Sequence, residues 1–333
     1  MDPISQAVLG GLAAQTVAKP KQLKYAFIMG ALSGMAADAD VLIRSASNPL
    51  IALEYHRHFT HSLAFIPLGS LLCALLLHLL LGRRWQLRFE LSFLWCLLGY
   101  ASHALLDACT SYGTRLLWPF SDARIAWDTI SIIDPLFTLP LLVLLLLAAI
   151  KKRRLFNVLA VVWLCSYLGL GFVQRDRAIA IGAELAAARG HTPEYISAKP
   201  SFANLVVWKI LYQVDGRFYV DAVKPTFGKP MIWEGTSIKK LVVETDLPWL
   251  DEGSQQAKDL ALFRHFSEGF VALDPQVKHR VIDMRYSMLP NDINALWGID
   301  LMPNAKVNDH SQWAVIRNER RSALNQLWAM LWE

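Results

Sequence analysis

Residues 54–81 read EYHRHFTHSLAFIPLGSLLCALLLHLLL. Three histidines, His56, His58 and His61, fall within six positions and run directly into an apolar stretch. That stretch has no polar residues recurring at helical spacing, so lipid accounts for it better than a soluble core, which would leave one face polar. The fold therefore turns on how many such runs the chain holds and on which membrane face the histidines meet.

Four runs are strong span candidates, 62–81, 91–106, 133–150 and 155–173. Several are a little shorter than the roughly 20 apolar residues a spanning helix needs. Two weaker runs, 4–18 and 25–37, flank the basic turn KPKQLK, and the first is short and glycine-rich. The chain has 333 residues, 54% of them hydrophobic, with a mean hydropathy of +0.30. The apolar residues concentrate before residue 175, and 200–333 has the mixed composition of a soluble domain. These features predict an α-helical polytopic membrane domain of about six helices over 1–174, a connecting helix and linker over 175–199, and a soluble α+β domain over 200–333. The start MDPISQAVLGG lacks the basic segment of a secretory signal peptide. A net charge of +5, carried in short clusters, argues against a nucleic-acid partner. Cys73, Cys96, Cys109 and Cys165 form no C-x-x-C pair, so neither a disulfide framework nor a thiolate metal site is implied.

The basic clusters set the expected sidedness. Lys19, Lys21 and Lys24 lie between the first two runs, Arg83, Arg84 and Arg88 between the third and fourth, and KKRR (151–154) between the fifth and sixth. By the positive-inside rule these loops are cytoplasmic. The alternate connections, and the region after Val173, then face outward. The outward ends collect Asp2, Asp38, Asp40, His56, His58, His61, His103, Asp107, Asp122, Asp128 and Asp134. Solubility alone does not require that many.

His103 and Asp107, in GYASHALLDACT, are four apart, which stacks both side chains on one helical face. Charged groups near a helix centre cost about 2.5–3.5 kcal/mol on insertion scales, so they need a partner or a function. An imidazole and a carboxylate side by side offer two ligands to a divalent cation; the competing reading is a hydrogen bond pinning the helix end. In HRHFTHS, His56 and His58 share a direction if the stretch is extended, and His58 and His61 if it is helical. Thr60 is placed to cap the following helix. Neutral imidazole suits zinc, and carboxylates widen the choice toward manganese. Asp38 and Asp40, in GMAADADVL, end the second run and read either as a carboxylate pair or as a polar stop. His78, within LLLHLLL, reads as a packed or snorkelling histidine. His191, His265, His279 and His310 carry no spacing signal.

MDPISQAVLGG, the aspartates of AADADVL, HRHFTHS, GYASHALLDACTSYGTRLLWPFS and the later IIDP occur in that order. Together, over residues 1–175, they resemble the YdjM-type family of membrane-bound metal-dependent hydrolases, also labelled LexA-binding and inner-membrane-associated. The resemblance implies a bacterial inner-membrane protein whose histidines and aspartates hold a divalent metal. His56, His61, His103 and Asp107 match the family's motif residues, with Asp38, Asp40 and Asp134 as companions. Family members commonly begin M-D-P-x-T-H, whereas this chain has Ser5 and Gln6 there. An amide is a poor zinc ligand, so one metal position is lost, weakened or filled by His58.

A hydrolase mechanism follows as an expectation. The metal lowers the pKa of a bound water toward about 7, and Asp38 or Asp40 accepts its proton. Arg57 and Arg115 are candidates to hold an anionic group, because the guanidinium fork matches phosphate. Trp118, Phe120 and Trp127 suggest an aromatic belt at the outer interface. The expected substrate is then a lipid-linked or headgroup phosphoester. The alternative is a non-catalytic, metal-stabilised membrane protein whose C-terminal domain binds a partner. A transporter is disfavoured, because the polar residues gather at one face and leave no midplane pathway. In the tail, RDRAIAIGAELAAARG reads as a helix ending at a glycine cap. Asp215-Gly216 reads as a hairpin turn, VKHRVIDMRYSML as a strand and KDLALFRHFSEGF as a helix.

Overall fold

The computed structural model describes residues 1–316 and 320–333. It divides into two compact units. The first is Met1–Leu42 with Tyr55–Val173 and Phe202–Asn204; the second is Ile43–Glu54 with Gln174–Ser201 and Leu205–Glu333.

Helix α1 (Pro3–Val17) opens with Pro3 at its first position and Asp2 as its cap, whose Oδ1 accepts Ile4 N and Ser5 N at 3.0 Å. Helix α2 (Leu23–Gly34) runs into a 3-10 stretch, Ala36–Leu42. A short helix α3 (Ile51–Tyr55) and a 3-10 turn (Phe59–His61) precede α4 (Ile66–Leu77), which ends in a π turn over His78–Gly82. Then come α5 (Phe89–Cys109), α6 (Pro135–Lys151) and α7 (Leu155–Ala188). Small residues allow the first helices to close on one another. A methyl added at Gly30 would meet Gly10 O at 2.3 Å, and one added at Gly99 would meet Gly30 O at 2.4 Å. Thus α1, α2 and α5 touch backbone to backbone, which fixes what α5 carries against the end of α2.

Among the described residues three helical stretches are long and apolar enough to cross a membrane: Pro20–Leu42, Phe89–Cys109 and Leu155–Ala188. A fourth is counted if Ile51–His61 and Ile66–Gly82, bent by 86°, act as one span. Six apolar runs therefore do not give six such helices. With 15 residues, α1 extends only about 22 Å at 1.5 Å per residue, short of a bilayer core. Its Gln6, Val8, Leu9 and Leu12 are buried in protein instead. Helix α6, at 17 residues, is also short. His78 packs as expected, its Nδ1 2.9 Å from Ser92 Oγ.

In the second unit β1 (Tyr195–Pro200), β2 (Trp208–Val214), β3 (Arg217–Lys224) and β4 (Met231–Lys239) form an antiparallel meander. Asp215 (φ 47°) and Gly216 (φ 67°) make the two-residue turn between β2 and β3, the positive-φ geometry their dipeptide predicts. Helices α8 (Val243–Asp246) and α9 (Gln255–Phe266) follow. A second antiparallel sheet contains β5 (Val271–Leu273), β6 (Arg280–Asp283), β7 (Trp297–Asp300) and β8 (Gln312–Val315). Leu211, Phe218 and Val220 of the first sheet share a core with Ala272 and Ile282 of the second. Helix α10 (Arg320–Trp332) lays Leu327 and Met330 against Val207 and Ala222. The stretch VKHRVIDMRYSML contributes only four residues to a strand. Asp283 Oδ1 accepts Arg285 N at 3.0 Å and turns the chain there. Helix α9 begins earlier than its apolar pattern suggests, because Ser254 Oγ caps it from Ala257 N.

Candidate metal centre

Four ligand atoms converge in the membrane domain: Asp38 Oδ1, His61 Nε2, His103 Nε2 and Asp107 Oδ2. Helix α5 supplies His103 and Asp107 one turn apart, the 3-10 stretch after α2 supplies Asp38, and the turn before α4 supplies His61. His61 Nε2 lies 3.4 Å from Asp38 Oδ1 and 3.3 Å from Asp107 Oδ2. His103 Nε2 lies 3.4 and 3.6 Å from the same two oxygens. A tetrahedron with bonds of 2.0–2.1 Å has edges of about 3.3 Å, so these spacings fit a tetrahedrally held cation. The two imidazole nitrogens are closer, at 2.9 Å.

The outer nitrogens fix the rings. His103 Nδ1 faces Gly34 O, so the helix-packing glycines also seat this imidazole. His61 Nδ1 faces Thr60 Oγ1 at 3.0 Å and Asp40 Oδ2 at 3.3 Å. A ring whose Nδ1–H is taken by a carboxylate or carbonyl presents the Nε2 lone pair inward, the usual arrangement behind a metal-bound histidine. Asp40 is itself held in place, accepting from Arg57 N at 2.9 Å and Thr60 Oγ1 at 3.1 Å.

Asp107 is fully buried, and its two oxygens are treated differently. Oδ1 accepts from Gln6 Nε2 at 2.8 Å and from the amino group of Met1. Oδ2 has Arg57 Nε 2.9 Å away, yet the two are not aligned to hydrogen-bond, and both atoms are left without such a partner. A buried carboxylate oxygen with an unused lone pair, pointed at two imidazole nitrogens, fits a cation better than an empty core. A second group, Asp38, Asp40 and His56, adjoins the first and shares Asp38. Only Asp38 and His56 among these six side chains are partly exposed, at 20% and 27%. The cluster therefore opens on their side.

Four predicted site residues fall elsewhere. His58 packs its ring against Tyr55, Phe59 and Trp118 and is absent from both ligand groups. Asp134 caps α6 through Leu136 N and Phe137 N and accepts the Tyr167 hydroxyl at 2.8 Å, so its oxygens serve the helix end. Arg57 is buried, with φ 61°. It faces Asp107 and donates to Thr110 Oγ1 at 2.8 Å, so its guanidinium is engaged inside the protein. Arg115 lies 3.4 Å from Asp122 Oδ1, with its side chain 12% exposed. Gln6, by contrast, has a place that sequence reading does not supply: its Nε2 donates to Asp107 Oδ1 from 101 residues away. Only its position in the opening motif marks it out.

A helical membrane domain holding a buried, preoriented His/Asp cluster defines a polytopic membrane protein with a candidate metal centre. The YdjM inner membrane protein family model matches residues 1–178, and the chain belongs to that family. It is 30% identical over 130 residues to the uncharacterized protein YfhP of Bacillus subtilis, a match covering 38% of each chain. It is 37% identical over 119 residues to the inner membrane protein YbcI of Escherichia coli, covering 34% of this chain and 64% of that one. The chain thus spans less than two thirds of either relative's length. No solved structure matches.

Proposed function

We propose that the protein is a metal-dependent hydrolase of the bacterial inner membrane, acting on a lipid-linked or headgroup phosphoester at the outer membrane–water interface. The observation that carries this reading is the convergence of Asp38, His61, His103 and Asp107 at tetrahedral-edge spacing. Zinc suits the donor set, and the two carboxylates also admit manganese. The basic loops 19–24 and 83–88, at the ends of α2 and α4 away from the cluster, support the outward placement. When bound, the ion supplies Lewis acidity, lowering a water's pKa toward about 7.

The chain's own residues have separate parts in such a reaction. Asp40 and Gly34 O hold the two imidazoles in the tautomer that points Nε2 inward. Arg57 offsets the charge of Asp107. Asp38 is the carboxylate at the opening; its Oδ2, outside the four-atom group, would take the proton as water oxygen bonds to phosphorus and return it to the ester oxygen as that leaves. Asp40, buried and already engaged by Arg57 N, Thr60 Oγ1 and the His56 ring, is less suited to that step. His56 flanks the same opening.

One observation favours a second reading. Four protein donors around one ion leave no open position, which is the pattern of a structural site. In that case the metal stabilises the membrane domain and the C-terminal domain recognises a partner. Metal content of detergent-purified wild type beside His61→Ala and His103→Ala tests the centre itself. Phosphoesterase assays of wild type, His103→Ala and Asp107→Ala then decide between the readings. Stoichiometric metal without turnover supports the structural one; turnover unchanged in both variants ends the hydrolase.

A further inference from the structure

We infer that the C-terminal domain rests on the bilayer headgroup layer through the tip of its β3–β4 hairpin, with Phe227 as the inserted residue. The hairpin loop reads KPTFGKP over 224–230. Thr226 Oγ1 donates to Lys229 O at 2.8 Å and accepts Gly228 N at 3.2 Å. This tight loop leaves the Phe227 ring fully exposed, at 108% of its reference area. An aromatic ring held wholly in water at a stapled, proline-flanked tip has no folding role to explain it.

Its neighbour in α7 says what covers it. Arg177 donates to Thr226 O, and its guanidinium lies 6.0 Å from the Phe227 ring centroid. The apolar run of α7 ends at Val173, four residues earlier. Four residues of α-helix rise roughly 6 Å. The polar layer outside the hydrocarbon core is about 5–8 Å deep on each side. The helix that leaves the membrane therefore pins this loop at headgroup depth. Charge agrees with that place: exposed Lys229 and half-buried Arg177 flank the ring, as anionic headgroups would favour.

A second apolar feature lies at the same end of β3. Lys224 Nζ donates to Leu331 O at 2.9 Å, which seats the end of α10 beside the hairpin base. There Trp328 and Trp332, 62% and 74% exposed, pack ring to ring at 5.7 Å. Tryptophans one helical turn apart on an exposed face, with Lys224 at their base, suit a membrane interface.

The test uses the full chain in nanodiscs of phosphatidylethanolamine and phosphatidylglycerol. Photoreactive p-benzoylphenylalanine replaces Phe227 in one sample and Asp215 in another. Asp215 occupies the turn at the other end of β3, about 26 Å away along an eight-residue strand. Both positions are in turns, so neither replacement disturbs the core. After irradiation, intact mass should show one added lipid at 227 and none at 215. No lipid adduct at 227, equal adducts at both positions, or an adduct only to a second copy of the chain would each overturn the inference.

Discussion

His103 has both ring nitrogens committed, Nδ1 to Gly34 O and Nε2 to the cluster, and that double commitment separates its loss from the loss of Asp40. His103→Ala removes an inward donor, so the purified protein should lose its stoichiometric metal. Asp40→Asn keeps every donor of the four-atom group and weakens what holds His61, together with the anchoring of His56, Arg57 N and Thr60 Oγ1. Its metal affinity should fall about 10–100-fold with stoichiometry retained at saturation, as measured by chelator competition. Equal affinity in wild type and Asp40→Asn would remove Asp40 from the centre. Arg57→Ala leaves Asp107 with less compensating charge in a buried setting. Breaking a buried pair costs about 3–5 kcal/mol. We expect the metal-free variant to melt well below wild type in detergent, and added zinc to raise its Tm more than it raises that of wild type. Identical zinc-induced shifts would mean that no cation sits against Asp107.

At the scale of elements, the centre depends on how closely α5 approaches α2. A side chain at Gly99 meets Gly30 O at 2.4 Å and Ser33 Oγ at 2.3 Å. Gly99→Val should therefore cost at least the 1–3 kcal/mol typical of overpacking, roughly, and lower metal occupancy by drawing His103 from Gly34. Gly169→Ala is the control, because nothing lies within 4 Å of the added methyl. Loss of metal in both variants, or in neither, would argue against the packing explanation. The i,i+4 couple of His103 and Asp107 was legible in the sequence because helical spacing alone puts them on one face. So was the turn at Asp215-Gly216, because two consecutive positive φ values demand such residues. The number of spans was not legible. An apolar run of 15 residues reads the same whether lipid or neighbouring helices cover it, and α1 is covered by helices.

At the scale of the whole molecule, the C-terminal unit carries a pH response of its own. In the C-terminal domain Lys209 is buried, donating to Ser287 Oγ at 2.7 Å and Asp292 O at 3.1 Å, and burial pushes its pKa down from 10.5 to about 7. Between those values the unfolded chain binds a proton that the folded domain does not. Stability should therefore rise with pH from about 7 toward 10.5, and the neutral Lys209→Met should flatten that slope. Hydrogen exchange of β2 and β3 amides in the full chain reads this directly, and an unchanged slope in the variant would refute it.

The sequence by itself determined the membrane domain, the antiparallel hairpin and the residue types able to hold a cation. Each of these follows from local composition or from spacing along one element. Only the tertiary structure decided which of those residues meet. It brought Asp38 and His61 to His103 and Asp107, gave Arg57 and Gln6 to Asp107, and left His58 and Asp134 outside. The reason is that ligand convergence depends on how near two backbones can come, and Gly30 and Gly99 set that distance across stretches of chain far apart in the sequence.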